Sequence, residues 1–254
     1  MAIAAWWGVF RSLIIYYGQP WKAARMRRFY ADFVPEGGLA FDVGAHVGNR
    51  TRCWAGLGAK VVAVEPQPKL LSVLGFLFGG RSTVAVEPVA LGSEPGRLQL
   101  RINTRNPTIT TLSEDWVETF GGHPDIHTSP FDAVADVEVT TLDALIETHG
   151  VPDFCKIDVE GFEDKVLEGL SQPIAALSFE AFPLDIERSL RCIERLCALG
   201  EYRFRTVRAE TFRWVEPDWV DAETMVASLK VATLNDGSAD VYAARRSVQG
   251  TPPV

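Results

Sequence analysis

Apolar and polar positions along this chain fall into blocks whose period changes from one segment to the next. Leu39, Ala40, Phe41 and Val43 form a short apolar run, and KVVAV at residues 60–64 forms another. Runs of that length bounded by turn residues predict strands buried on both faces. Helices are predicted from about Asn49 and over residues 66–78, the second stopped by Gly79 and Gly80. A third strand is predicted at 83–86, with a turn after it at 88–92. Residues 96–103 and 136–141 alternate as half-buried strands do and are expected to pair as an added ribbon. Between them, residues 104–132 are rich in Thr, Pro, Gly and His, with one short helix at 113–120. A stretch that long with little regular structure is expected to cover a substrate.

The second half continues the alternation: a helix at 142–150, a central strand at 153–159, a helix at 164–170, a fifth strand at 175–180 and an amphipathic helix at 184–199 ended by Gly200. Residues 202–208 and 240–245 are the closing strands; no helix is evident before the last, so an antiparallel, hairpin-like edge is expected. Strands alternating with helices over 254 residues predict one α/β domain. Its expected divisions are an N-terminal helical extension or cover at 1–34, the main domain at 35–246 and a flexible tail at 247–254. The segment AIAAWWGVFRSLIIYYG is apolar but interrupted by Arg11. Neither half reaches the ~20 residues that span a bilayer, so packing over the domain or its active site is expected, without stable membrane insertion. Lys22, Arg25, Arg27 and Arg28 read as a solvated helix face, and less readily as a patch for an acidic partner or lipid headgroups.

The chemistry concentrates where the first strand ends. Asp42 is followed by Gly44 and Gly48, which permit positive φ or close approach of a ligand, and the helix beyond is expected to point free amides into the turn. Glu65 ends the second strand, twenty-three residues beyond Asp42, where an acid accepts from ribose hydroxyls. The GxGxxG fingerprint of dinucleotide sites is absent, because Gly44 is followed by Ala45, His46, Val47 and Gly48. An acid two residues before the first glycine suits S-adenosylmethionine better, a ligand with an ammonium group and no phosphate.

Charge narrows the acceptor. The 25 basic and 33 acidic residues give a net charge of −8, which opposes a nucleic-acid substrate held through phosphates and favours a small-molecule acceptor. No NPPY-like or DPPY-like string is present to hold a flipped base. Cys53, Cys155, Cys192 and Cys197 show no CxxC spacing, the pattern of reduced thiols in a cytoplasmic protein. His123 and His127 flank Pro124 and Asp125 and read as loop histidines in preference to a helical metal pair.

PDFCKIDVEGFEDKVLEGL at 152–170, together with FDVGAHVGNRT and VVAVEPQP, resembles the FkbM family of S-adenosylmethionine-dependent methyltransferases. The resemblance runs from about Tyr30 to Glu180 and includes ALG at 90–92, TLDAL at 141–145 and Glu180 after an apolar strand. It implies a class I, Rossmann-like methyltransferase fold, with a seven-stranded, mostly parallel sheet and an antiparallel last strand. The activity it implies is mostly O-methylation of hydroxyls on sugars and other small or secondary metabolites. In one departure, His46 stands where the family usually has Asn; it either contacts the methionine carboxylate or shapes the turn.

Methyl transfer from a sulfonium requires chiefly alignment, but a hydroxyl acceptor must lose its proton to a general base or bind a divalent ion that lowers its pKa. Asp158, Glu160 and Glu180 fall at the carboxyl ends of strands, where ligands bind in open α/β sheets, and are the catalytic candidates. Glu160 either contacts substrate or stabilises the turn at Gly161, and Lys156, on the same strand face as Asp158, neutralises or orients that acid. The competing reading of these acids is a structural hydrogen-bond cluster. For the cofactor, Asp42, Gly44, Ala45, His46 and Gly48 are assigned to the methionine side, Thr51 to the helix start, Glu65 to the ribose, and Val89 and Ala90 to adenine. Trp116, Trp214 and Trp219 either stack on an acceptor ring or anchor their loops to the core. The rival functions are an NAD-dependent oxidoreductase and a methyltransferase-like binding module without catalysis.

Overall fold

The computed structural model describes residues 2–121 and 130–245. In chain order the elements are α1 (Ala2–Tyr17), α2 (Pro20–Tyr30), β1 (Leu39–Val43), α3 (Asn49–Gly56), β2 (Lys60–Val64), α4 (Pro68–Phe78), β3 (Val84–Glu87), β4 (Ala90–Leu91) and β5 (Gly96–Ile102). They continue as α5 (Glu114–Gly121), β6 (Ala133–Thr140), α6 (Leu142–His149), β7 (Phe154–Ile157), α7 (Glu163–Glu168), β8 (Ala176–Ala181), α8 (Ile186–Leu199), β9 (Tyr202–Arg208), α9 (Ala222–Lys230) and β10 (Ala239–Arg245).

Seven strands form one sheet in the order β3-β2-β1-β7-β8-β10-β9. All neighbours run parallel except β10, which is antiparallel to both β8 and β9. This is the class I methyltransferase arrangement. Alternation within each strand feeds two cores. Phe41, Val62, Cys155, Leu177 and Ala243 pack with α6 to α9 on one face, while Ala40, Val61, Phe154 and Tyr242 pack with Tyr30, Phe33 and Trp54 of the α2–α3 side on the other.

Two expectations are corrected, and one open alternative is decided. The turn expected at 88–92 contains β4, whose two residues pair parallel with β6, so the ribbon of β5 and β6 is a three-stranded sheet. The connection before the last strand is not a hairpin: α9 intervenes, started by the Asp221 carboxylate accepting from the Thr224 amide and buried through Met225 and Leu229. Of the two readings of Trp214 and Trp219, the contacts favour anchoring to the core. Trp214 packs 4.9 Å from Phe29 and 5.2 Å from Tyr242, Trp219 lies 5.6 Å from it, and the Arg205 guanidinium covers Trp214 at 4.4 Å. The region 209–219 is thereby anchored to the aromatic core behind the sheet. The expected tail and the pair His123 and His127 lie outside the described residues.

Trp54 is fully buried, T-shaped against Tyr30 at 5.3 Å and Phe154 at 5.6 Å, with its indole nitrogen unpaired among the described residues. Trp54→Ala is therefore expected to cost about 3–5 kcal/mol in chemical denaturation, and Trp54→Phe well under half of that, since it keeps the ring and removes a buried donor.

Candidate active site

The turn after β1 uses backbone conformations that few side chains tolerate. Gly44 has φ +80°, and a Cβ there would stand 1.8 Å from the Asp158 carbonyl oxygen, so β1 and the end of β7 approach each other only because position 44 has no side chain. His46 follows at φ 52° and Gly48 at φ +74°, both left-handed. The Gly44 and Ala45 amides donate to the Val64 carbonyl, each at 3.0 Å, and the Gly48 amide donates to the Ala45 carbonyl at 2.8 Å. Thr51 donates to Asp42 Oδ2 from its amide at 2.9 Å and its hydroxyl at 2.5 Å. The Gly44, Ala45, Gly48 and Thr51 amides thus have acceptors supplied by the protein, while the Asn49 and Arg50 amides at the start of α3 have none among the described residues, in keeping with the expectation of free amides there. Thr51 thus positions Asp42 from behind and does not line the cleft. Burial raises the Asp42 pKa, and the Thr51 hydrogen bonds draw it back.

Around this turn lie Tyr16, Asp42, Ala45, Arg50 and Asp158, with His46 at the centre. Its ring meets Tyr16 edge-on at 5.7 Å, and burial lowers its pKa to about 4, which keeps the imidazole neutral. His46 Nε2 is buried without a hydrogen-bond partner among the described residues. Arg50 is buried and pairs with Glu210 at 2.9 Å.

On the other side of the turn, Glu65 Oε2 accepts from the His46 amide at 2.8 Å and Oε1 from the Gln67 amide at 2.9 Å. Burial pushes this carboxyl up to about 7, against the pull of both amides. Beside it Val89, Ala90, Leu70, Leu100 and Leu112 form an apolar slot. Residues 107–112 close that slot, and Gln67 Nε2 donates to Thr110 Oγ1 at 2.9 Å to tie the segment down. The part of the 104–132 segment that is described thus covers the cleft on the Glu65 side.

Sheet order brings the remaining acids together. Asp240 of β10 pairs in register with Glu180 of β8, and β8 adjoins β7, which leads into Asp158 and Glu160. Oxygens of Asp158, Glu160 and Glu180 lie within 4.8 Å of one another, a hard donor set of the kind that suits Mg²⁺, Mn²⁺ or Ca²⁺. Lys156, 1% exposed, reaches Asp240 at 2.8 Å and Asp158 at 3.2 Å. Burial opposes its charge, yet Asp158 and Asp240 raise its pKa and keep it an ammonium. Burial likewise opposes ionisation of Asp158, but Lys156 and then Arg50 outweigh it and hold this acid below its usual range. For Glu180 the balance reverses: burial, then Asp158, outweigh Lys156 and push it up to about 8, and burial with Glu180 raises Glu160 well above its ordinary value.

Glu160 itself sits at φ 52°, and stabilising the turn is the work of Glu163. Glu163 Oε1 accepts from the Val159 and Gly161 amides, each at 3.2 Å, and Oε2 pairs with Arg188 at 2.9 Å. Arg188 in turn covers the buried Trp116 ring at 4.8 Å.

The family model described as Methyltransferase FkbM domain matches residues 42–195, from Asp42 of the glycine turn into α8. The chain belongs to this family. Among curated proteins none matches. Solved structures with a similar course include the precorrin-6Y C5,15-methyltransferase of Geobacter metallireducens, 11% identical over 87% of each chain with a TM-score of 0.41. Fibrillarin of Aeropyrum pernix, in complex with S-adenosyl-L-methionine, is 12% identical over 84% of this chain and 68% of its own, with a TM-score of 0.43. A SAM-dependent O-methyltransferase of Thermotoga maritima is 12% identical over 89% of this chain and 65% of its own, with a TM-score of 0.39.

Sequence reasoning about this FkbM methyltransferase missed Arg50, Glu163 and Asp240. Arg50 follows the glycine turn directly and Glu163 lies inside the KIDVEGFE string, so both carried a signal of position. Asp240 carried none, because its partners depend on β10 inserting between β8 and β9.

Two outcomes follow from the charges. Lys156→Met leaves Asp158 and Asp240 facing each other without a cation and is expected to cost about 3–5 kcal/mol in denaturant titration, part of it recovered in Lys156→Met/Asp240→Asn. Glu180 has a folded pKa near 8, above the ~4.5 of an exposed glutamate, so its contribution to stability is full below about pH 4.5 and is lost as pH rises towards 8. Thermal melts across that window are expected to fall less steeply with pH for Glu180→Gln than for the parent protein.

Proposed function

We propose that this chain is an S-adenosylmethionine-dependent O-methyltransferase acting on a hydroxyl of a sugar or another small metabolite. The observation that carries the reading is the meeting of Asp158, Glu160 and Glu180 within 4.8 Å beside the glycine turn. Acids gathered at that density favour a cationic ligand and a proton acceptor in one place. When bound, S-adenosylmethionine supplies a methyl group already activated on a sulfonium.

The residues present fit that cofactor. Glu65 keeps lone pairs for ribose hydroxyls, and the slot of Val89, Ala90, Leu70, Leu100 and Leu112 suits a flat base. The unpartnered Nε2 of His46 and the buried Arg50 offer donors to a carboxylate, while Asp42 and Asp158 offer charge to an ammonium. The turn lacks the third glycine of a dinucleotide fingerprint, Gly44 being followed by Ala45, His46, Val47 and Gly48, which counts against NAD. Glu180 is the proposed general base, with Glu160 sharing its proton and Lys156 orienting Asp158. Binding of a divalent ion by the same three carboxylates is the competing means of activating the hydroxyl, supported by their donor chemistry. The net charge of −8 supports a small acceptor over a nucleic acid.

Calorimetry tests the cofactor: Glu65→Ala is expected to weaken S-adenosylmethionine binding by about 1–3 kcal/mol, and tight NADH binding in its place would refute the reading. Transfer assays with a panel of sugar and phenolic hydroxyls test the chemistry. Glu180→Gln and Asp158→Asn are expected to lose at least about a hundredfold in rate, and undiminished rates in both would remove these acids from it. Loss of activity in EDTA with recovery in Mg²⁺ would replace the base with a metal.

A further inference from the structure

The outward face of α1 is apolar, and the residues around it are cationic. Trp6, Phe10 and Ile14, spaced four apart, share one side of the helix with Trp7, and these four are 50–67% exposed. After the Gly18–Pro20 turn, α2 presents Trp21, Arg25 and Arg28 on its own exposed side, and Trp21 is 67% exposed. Residues 1–31 hold Arg11, Lys22, Arg25, Arg27 and Arg28 but none of the 33 acidic residues of the chain. A protein of net charge −8 thus carries a cationic end with large apolar side chains at its surface. Beneath that end, Arg27 and Arg52 flank a groove with Tyr16 and Tyr17, and the Arg52 guanidinium covers the Tyr17 ring at 5.1 Å.

We propose that α1 and α2 dock this protein onto an anionic lipid bilayer, with Trp6, Trp7, Phe10 and Ile14 entering the headgroup region and the basic residues pairing with lipid phosphates. Tryptophan and long aliphatic side chains partition to that depth, and each nearby basic residue adds attraction to an anionic leaflet. The acidic remainder of the chain is repelled by the same surface, which orients the molecule with α1 down. A second copy of the chain is a poorer occupant, because a two-fold contact would set one cationic end against the other. Among the described residues no helix is long and apolar enough to cross a membrane, so the docking is peripheral.

The inner side of α1 forms one wall of the candidate site. Val9 packs with Val47, Leu70 and Val73, Tyr17 Oη donates to the Val47 carbonyl at 2.8 Å, and Tyr16 lies against His46. The glycine turn therefore stands about one helix diameter, ~10 Å, from the bilayer. If the methyl-transfer reading holds, hydroxyls borne on lipids or held at the membrane surface come within reach; the docking does not depend on that reading.

The test is co-sedimentation of the full chain with phosphatidylcholine vesicles, with and without one third phosphatidylglycerol. Binding is expected to the anionic vesicles only, with a blue shift of tryptophan emission, and to fade at high salt. Trp6→Ser/Phe10→Ser/Ile14→Ser and, separately, Arg11→Glu/Lys22→Glu/Arg28→Glu are each expected to lower partitioning at least about tenfold with an unchanged far-ultraviolet spectrum. Failure of the parent chain to sediment at low salt would overturn the proposal. So would retention of binding by both variants, dimerisation in light scattering that the serine variant abolishes, or stronger retention on RNA than on vesicles. Methyl transfer to a water-soluble acceptor is expected to proceed equally without vesicles, so loss of docking and loss of catalysis read separately.

Discussion

Two carboxylates from different strands share the ammonium of Lys156, and the acidic end of the sheet depends on that sharing. Asp158 lies at the end of β7 and Asp240 on β10, with β8 between them. Buried at 1% exposure, the lysine is a costly group to remove from water, and it remains charged because both partners are in hydrogen-bond range. Burial, together with neighbouring negative charge that includes the ionised Asp158, pushes Glu160 and Glu180 towards their neutral forms. One cation among several acids separates their behaviours: Asp158 stays an anion, and Glu160 and Glu180 favour their protonated forms.

The glycine turn performs a complementary task. Its close approach to β7, permitted by the missing side chain at Gly44, sets the cofactor side of the cleft against the carboxylates. Asp42 draws the Thr51 amide and hydroxyl inward, so a buried carboxylate stands at the start of α3 beside the Asn49 and Arg50 amides. His46 accepts a left-handed backbone without being glycine or asparagine, and the amide it turns towards Glu65 links the two strand tips.

Much of this was legible in the sequence where the physics is local. β1, β2, β7 and β8 are buried on both faces and therefore appear as continuous apolar runs with acids at their ends. α8 was legible through its amphipathic period, and Glu65 through its distance from Asp42. β4 was not, since two residues give no period, and α9 was not, since its firmly buried positions are only Met225 and Leu229. The roles of Trp214 and Trp219 depend on aromatic partners in α2 and β10, nearly two hundred residues away in the case of Phe29, and composition leaves such contacts unmarked. Arg50 follows the glycine turn directly, but nothing local in the sequence marks its burial. The alternation of strands announced the sheet, but the insertion of β10 that gives Asp240 its partners is a property of topology alone.

The Glu163–Arg188 pair joins the turn after β7 to the cover over the cleft. Glu163 grips the backbone that holds Glu160 in its left-handed conformation; Arg188 belongs to α8 and rests on Trp116 of α5, within the segment that also closes over the apolar slot. A chain of contacts therefore runs from that cover to the backbone that carries Glu160. The seat of the Trp116 indole and the backbone around residue 160 share one buried ion pair, so a change at either end is felt through Arg188.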